Sequence, residues 1–117
     1  VCKIITEEIM SDKVKILNDL DFEKTIKEAK VPVLIDFFAK WCAPCRMQAP
    51  VLDELASDLG DKVMIAKVDI DECESLAIKY GVSSIPCLMV FKDGEVKETS
   101  VGLQGKAQLS ALLIKHI

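Results

Sequence analysis

Residues 33–47 read VLIDFFAKWCAPCRM and carry the pattern that decides the fold. The segment 33–39 is apolar except for Asp36, which is typical of a strand covered on both faces of a sheet. Cys42 and Cys45 follow with two residues between them. Because an acid inside an apolar strand is costly without a partner or a task, Asp36 is a candidate functional residue.

After the two cysteines the apolar residues take a helical spacing. Met47, Val51, Leu55 and Leu59 recur every four positions, with Leu52 and Ala56 beside them, so we expect one continuous apolar helical face. The cysteines therefore fall where a helix begins, and the free N–H groups and the helix dipole there favour a thiolate. Pro50 lies inside this helix and is expected to kink it, since proline has no N–H to donate.

The motif around the cysteines resembles the active-site segment of the thioredoxin family. Residues 36–45 read DFFAKWCAPC and follow that family's pattern, with Ala43 where glycine is usual and Phe38 where tryptophan is common. The resemblance runs from about residue 11 to residue 117. Further matching positions are Met47, Ala49, Pro50, residues 67–71, residues 79–82, Ile85-Pro86, residues 91–95 and Val101-Gly102.

The resemblance implies an α/β thioredoxin fold, in which a central five-stranded mixed β-sheet is flanked by four α-helices. The element order read along the chain, βαβαβαββα, fits this fold. We interpret residues 1–10 as an N-terminal extension or a cloning remnant, and residues 11–117 as one thioredoxin domain. The predicted strands are 14–17, 33–39, 63–68, 87–91 and 95–101; the predicted helices follow Asn18 or Asp21, follow Cys42, span 75–80 and surround Leu109 to Leu113.

Composition and charge exclude several classes of protein. The chain of 117 residues is half apolar, so it can form one domain with its own core. Its net charge of −4 argues against nucleic acid or an anionic membrane as the main partner, and no apolar run reaches membrane-spanning length. Five cysteines, an odd number, point to a reducing compartment and to cysteine used as chemistry. We expect a cytoplasmic monomer.

The two motif cysteines are expected to form a redox pair. Cys42, at the helix start, is the predicted nucleophile, because only a thiolate attacks a disulfide. Cys45 faces the same side of the first turn and is predicted to resolve the mixed disulfide. Half of a zinc site is the alternative, but the chain offers no second pair of ligands at close spacing and one histidine, His116. No metal is therefore expected.

Asp36 is the candidate base for the second step. Burial raises the pKa of such a carboxyl, which suits proton transfer with Cys45. Lys67 matches the position of the family's buried partner for this acid and completes the set of candidate catalytic residues. A purely structural buried ion pair between Asp36 and Lys67 is the alternative.

The resemblance also implies an apolar surface that binds substrate around the cysteines. Ile85-Pro86 resembles the family's cis-proline loop, which would place the Ile85 backbone beside Cys42 to pair with an extended segment. For each residue taken alone, core packing is the alternative. The predicted substrate-binding residues are Trp41, Ala43, Pro44, Ile70, Ile85, Pro86, Val101, Gly102 and Leu103.

The activity that the resemblance implies is reduction of protein disulfides by a thiol–disulfide oxidoreductase, itself re-reduced by a thioredoxin reductase. No cofactor is expected, since the two sulfurs carry the electrons. One alternative is a disulfide isomerase or oxidase domain, which usually has histidine where this chain has Pro44. A binding subunit of a larger complex is another. Cys2 is interpreted as a surface thiol with no assigned role. Cys73 and Cys87 are interpreted as structural or incidental thiols, with regulatory oxidation as the alternative.

Overall fold

The computed structural model describes residues 14–117. The expected extension at residues 1–10 and Cys2 lie outside the described residues. Within the described part, the element order is βαβαβαββα, as predicted. The strands are β1 (Val14–Ile16), β2 (Val33–Phe38), β3 (Met64–Asp69), β4 (Cys87–Lys92) and β5 (Glu95–Val101). The helices are α1 (Asp19–Glu28), α2 (Ala43–Leu59), α3 (Glu74–Lys79) and α4 (Lys106–Ile114), with a short 3-10 turn at Gly60–Lys62.

The five strands form one mixed sheet in the order β1-β3-β2-β4-β5. β3 pairs in parallel with both β1 and β2, whereas β4 is antiparallel to β2 and β5. This arrangement confirms the predicted thioredoxin fold, with a five-stranded mixed sheet and four helices in the described chain. β2, which carries Asp36, is therefore the central strand.

Two apolar layers cover the sheet and explain why β2 is apolar at every position except Asp36. All six residues of β2 are buried. On one face, Phe22 of α1 packs against Phe37 and Phe91, with its ring centroid 5.7 Å from that of Phe91. On the other face, Leu34 packs with residues of α2 and α4. Since side chains alternate along a strand, Asp36 points to the same face as Leu34.

Asn18 caps helix α1 with help from Asp21, so both residues proposed as the cap take part. The Asn18 side-chain oxygen accepts hydrogen bonds from the N–H groups of Leu20 and Asp21, at 2.9 and 3.0 Å. In return, the Asn18 N–H donates to an Asp21 carboxylate oxygen at 2.8 Å. This reciprocal capping box satisfies N–H groups that a helix end leaves free.

The buried face of α2 is in part the one predicted, since Leu52, Leu55 and Ala56 are buried. Met47 is 60% exposed, so the expected continuous apolar face through Met47, Val51, Leu55 and Leu59 is wrong at its first residue. A spacing of four residues drifts around a helix with 3.6 residues per turn, so that line crosses the buried face obliquely. Pro50 lies inside the helix, as expected. The buried residues of α2 are Cys45, Gln48, Leu52, Leu55 and Ala56.

Candidate active site

The two motif cysteines lie at the N-terminus of α2. Cys42 is the N-cap, and its sulfur accepts a hydrogen bond from the Cys45 N–H at 3.2 Å. The two side chains are joined as a disulfide, with their Cα atoms 5.2 Å apart. In this bonded state Cys42 is 5% and Cys45 2% exposed, so both cysteines are buried. The helix start supplies the N–H groups and the positive potential that favour a thiolate.

A small apolar cluster surrounds the disulfide. Phe38 and Ala39, at the end of β2, are buried against the cysteines, and Ile70 and Ile85 pack on the edge of this cluster. Ile85 is therefore beside the disulfide, where the resemblance to the cis-proline loop placed it. The Ile85–Pro86 bond is cis, as expected.

Asp36 is completely buried, and its carboxylate makes no hydrogen bond to the described residues. Neither oxygen has a hydrogen-bond partner within residues 14–117. Burial raises the pKa of the Asp36 carboxyl from 3.8 to about 7, because the charged form loses its solvation, while the positive charge of Lys67 acts in the opposite direction. Both protonation states of Asp36 are therefore accessible near neutral pH.

Lys67 lies beside Asp36 in the parallel register of β2 and β3, but the two do not form an ion pair in the described structure. The Lys67 ammonium instead lies over the Phe38 ring, 4.4 Å from its centroid. The structure therefore does not have the buried ion pair that was considered as an alternative. The long, flexible Lys67 side chain places its ammonium over the face of the aromatic ring instead.

Lys67 also borders a cavity that reaches Cys45. The cavity has a volume of about 290 Å³. Arg46, at its rim, is held by a hydrogen bond of 2.8 Å from its guanidinium to the Lys40 carbonyl. Lys67 therefore shares one space with Cys45. The cavity is lined by Phe38, Ala39, Lys40, Cys45, Arg46, Ala49 and Lys67.

The predicted substrate-binding residues differ in their exposure. Trp41 is 67% exposed, and its indole N–H donates to an Asp71 carboxylate oxygen at 2.9 Å. Ala43, Pro44, Val101 and Leu103 are also exposed; Ile70, Ile85 and Gly102 are half-buried. Pro86 is buried, so core packing describes its side chain. Where exposed apolar side chains form a continuous patch, the patch often marks a surface that binds another molecule.

Two residues of the site were missed by reading the sequence. Gln48 is a fully buried polar side chain one turn after Cys45, and it binds the backbone of Gln104. Asp71 holds the Trp41 ring. The available signal for Gln48 was a polar residue three positions from a buried cysteine on the same helix, but a spacing alone does not identify the partner.

Cys73 and Cys87 are buried and make no disulfide within the described chain. Burial raises the pKa of both thiols; the Asp19 charge adds to this at Cys73 and the Asp36 charge at Cys87. A buried thiol with a raised pKa is a poor nucleophile. Both residues fit the interpretation as structural thiols better than regulatory oxidation.

The described residues hold no cluster of three or more His, Cys, Asp or Glu side chains suited to a metal ion. A membrane-spanning helix is likewise not found among them. The site has a disulfide at a helix start, the buried Asp36 on the strand that leads to it, and exposed apolar side chains such as Trp41 next to Cys42. In its dithiol form, such a site can reduce the disulfide of a polypeptide that lies across these side chains, and its own two cysteines then form the disulfide.

Comparison with known proteins gives a consistent result. The family model described as thioredoxin matches residues 13–115. Thioredoxin of Pseudomonas aeruginosa is 47% identical over 108 residues, which cover 92% of this chain and 100% of the relative. Thioredoxin of Bacillus subtilis is 58% identical over 85 residues, or 73% of this chain and 82% of the relative. Thioredoxin 1 of Synechococcus elongatus is 48% identical over 101 residues, or 86% of this chain and 94% of the relative.

Proposed function

The chain belongs to the thioredoxin family, and on that premise we propose which of its residues carry each step of the reaction. It is a protein-disulfide reductase that works by dithiol–disulfide exchange through Cys42 and Cys45. The observation that carries this conclusion is the Cys42–Cys45 disulfide at the N-terminus of α2. The names of the relatives favour this activity over an isomerase or oxidase domain.

Cys42 is the nucleophile of the first step. In the reduced protein its thiolate attacks one sulfur of the substrate disulfide, so a new S–S bond forms while the substrate bond breaks. The released substrate sulfur leaves as a thiolate and takes up a proton. The hydrogen bond from the Cys45 N–H to the Cys42 sulfur supports this assignment, because it stabilises negative charge on that sulfur.

Cys45 resolves the mixed disulfide in the second step. Its thiol loses a proton and attacks the Cys42 sulfur, which forms the Cys42–Cys45 disulfide and releases the second substrate thiolate. We assign the removal of this proton to Asp36, since burial raises its pKa to about 7 and no hydrogen bond within the described chain occupies its oxygens. Lys67 is assigned the tuning of this base, because its charge lowers the pKa that burial raises.

A docking surface around the disulfide binds the substrate polypeptide. It comprises the predicted residues other than the buried Pro86. Trp41, Val101 and Leu103 support this role, since they are large apolar side chains that are exposed. Trp41 precedes Cys42 in the chain, and the other two flank Gly102, whose N–H donates to the Pro86 carbonyl. The Ile85 backbone is assigned the pairing with an extended substrate segment. The docking surface is Trp41, Ala43, Pro44, Ile70, Ile85, Val101, Gly102 and Leu103.

The protein is further assigned a thioredoxin reductase as its electron donor, and a cytoplasmic location as a monomer. Family membership supports the reductase, and the net charge of −4 supports a protein partner over nucleic acid. Residues 11–117 are assigned to a single domain, which agrees with the extent of the family match at residues 13–115.

The test is turnover with a model protein disulfide. Insulin is mixed with the protein, NADPH and a purified bacterial thioredoxin reductase, and the consumption of NADPH is followed. Continuous turnover is expected, and a double variant with Cys42→Ser and Cys45→Ser is the control. Dithiothreitol, in place of NADPH and the reductase, serves as a second electron donor for the protein. If the protein reduced insulin only with dithiothreitol, the assigned reductase would be contradicted. A failure to reduce insulin with either donor would contradict the activity itself.

A further inference from the structure

Gln48 is a buried polar residue of α2 that is hydrogen-bonded to the backbone of Gln104. None of its surface is exposed, whereas the other buried residues of α2 are all apolar or cysteine. Its side-chain amide binds both backbone groups of one residue: Nε2 donates to the Gln104 carbonyl at 2.9 Å, and the Gln104 N–H donates to Oε1 at 2.8 Å. Both hydrogen bonds matter, because an unpaired amide in the interior is costly.

Gln104 lies in the segment that links β5 to α4 and carries part of the docking surface. Two residues earlier, the Gly102 N–H donates to the Pro86 carbonyl at 2.8 Å. Gly102 has a φ of 94°, a conformation that favours glycine. The exposed Leu103 therefore lies between two anchored residues, one tied to the Ile85-Pro86 loop and the other to α2.

The position of Gln48 on α2 relates this segment to the redox cysteines. Gln48 follows Cys45 by three residues, and both are on the buried face of the helix. A helix keeps its own residues at fixed distances, so the two hydrogen bonds fix the segment 101–103 relative to the disulfide. Gln48 itself takes no part in the transfer of electrons or protons.

We propose that Gln48 is a positioning residue for protein substrates, which holds the docking segment 101–103 in register with the reacting sulfurs. This inference rests on the docking surface assigned under the proposed function. A polypeptide that contacts Leu103 while its disulfide meets Cys42 needs both parts at the correct separation. A small disulfide reaches Cys42 without the segment and is indifferent to it.

The test compares a protein disulfide with a small one. Gln48→Met has a side chain of similar length that cannot make either hydrogen bond. Gln48→Leu also removes both hydrogen bonds but has a branched side chain. Two variants of different shape are used so that at least one of them should fold. We expect KM for insulin to rise about three- to tenfold, because part of what the two lost hydrogen bonds contribute acts on the position of the segment 101–103. The kcat for insulin, and the rate with 5,5′-dithiobis(2-nitrobenzoate), should stay near the wild-type values.

Leu55→Val is the matched control for lost stability. Leu55 is buried in the same helix but belongs to the apolar layer on Leu34, not to the Gln104 contact. Its melting temperature should fall while KM for insulin stays unchanged. Amide hydrogen exchange gives a second readout, since the Gln104 N–H should exchange faster in Gln48→Met and not in Leu55→Val.

The outcomes separate the inference from the docking surface on which it rests. An equal rise of KM in Leu55→Val, or an equal loss of rate with the small disulfide, would show a merely structural role and overturn the inference. Leu103→Ser tests the docking surface directly. If it raises KM and the Gln48 variants do not, the inference alone fails. If it leaves KM unchanged, the docking surface fails and the inference fails with it.

Discussion

Replacing Asp36 by asparagine should stabilise the folded protein at neutral and alkaline pH and change its stability little in acid. The wild-type protein must hold a carboxylate where no solvent and, within residues 14–117, no hydrogen-bond partner compensates its charge. The amide has nearly the same shape and never ionises. The substitution therefore removes a buried charge without leaving a cavity.

The size of the effect follows from the pKa of Asp36. Burial raises that pKa from 3.8 to about 7. Between these two values the folded protein keeps a proton that the unfolded chain has already released, so the free energy of unfolding falls as the pH rises. Roughly 3 pH units at about 1.4 kcal/mol each give a loss of about 4 kcal/mol. The loss is absent below the lower pKa and complete above the higher one.

The assay is urea unfolding of the oxidised protein from about pH 4 to about pH 9, for wild type and Asp36→Asn. The difference in free energy of unfolding should grow with pH and level off above about pH 7, near 4 kcal/mol. Asp61→Asn, at an exposed carboxylate, is the control and should follow the wild type throughout. Parallel curves for wild type and Asp36→Asn would refute the reasoning, because an acid without a raised pKa gives no such divergence.

The same variant tests the assignment of Asp36 as a base. With asparagine at this position, no group is assigned to take the Cys45 proton, so release of the substrate from the mixed disulfide should slow. Attack by Cys42 should be less affected. Single-turnover kinetics that match the wild type across neutral pH would contradict the assignment, even if the stability result is as expected.

Other substitutions test the remaining assignments. Cys45→Ser should attack a substrate disulfide and stay covalently attached to it, whereas Cys42→Ser should not react; mass spectrometry of non-reduced mixtures distinguishes this result from the reversed roles. Asp71→Ala should free the Trp41 ring and raise KM for insulin by a few fold with little change in melting temperature; an unchanged KM would count against the docking role of Trp41. Asn18→Ala should lower the free energy of unfolding by about 1 kcal/mol in urea titration, and a neutral result would show that the capping box contributes nothing.

The fold followed from local patterns to a large extent. The apolar segment 33–39 predicted a central strand, and the structure has β2 at Val33–Phe38 with every residue buried. Asp93-Gly94, a residue pair that favours two-residue hairpin turns, joins β4 to β5, and both residues have positive φ, at 56° and 79°. Such features depend on the residues themselves, so a sequence contains them. The cysteine pair is of the same kind, because its spacing and helix start are both local.

The contacts across the structure did not follow in the same way. Lys67 lies beside Asp36 in the register of β2 and β3, but its ammonium lies over the Phe38 ring rather than in an ion pair with the Asp36 carboxyl. Met47 was expected inside, but it is exposed, since a line of residues spaced four apart drifts off the face of α2 that packs on the sheet. Gln48 meets Gln104 over 56 positions of sequence separation. In each case the outcome depends on how distant elements pack, which residue spacing does not encode.

The hydrogen bond from the Cys45 amide to the Cys42 sulfur gives the protein a spectroscopic reporter of its own redox state. That sulfur accepts a hydrogen bond from an N–H group in the first turn of α2, and it is also the atom that changes covalent partner in each catalytic cycle. A thiolate accepts a hydrogen bond more strongly than a neutral sulfur does. The first turn of α2 should therefore tighten on reduction and relax on oxidation, and the chemical shift of the Cys45 amide proton would follow each step of electron transfer.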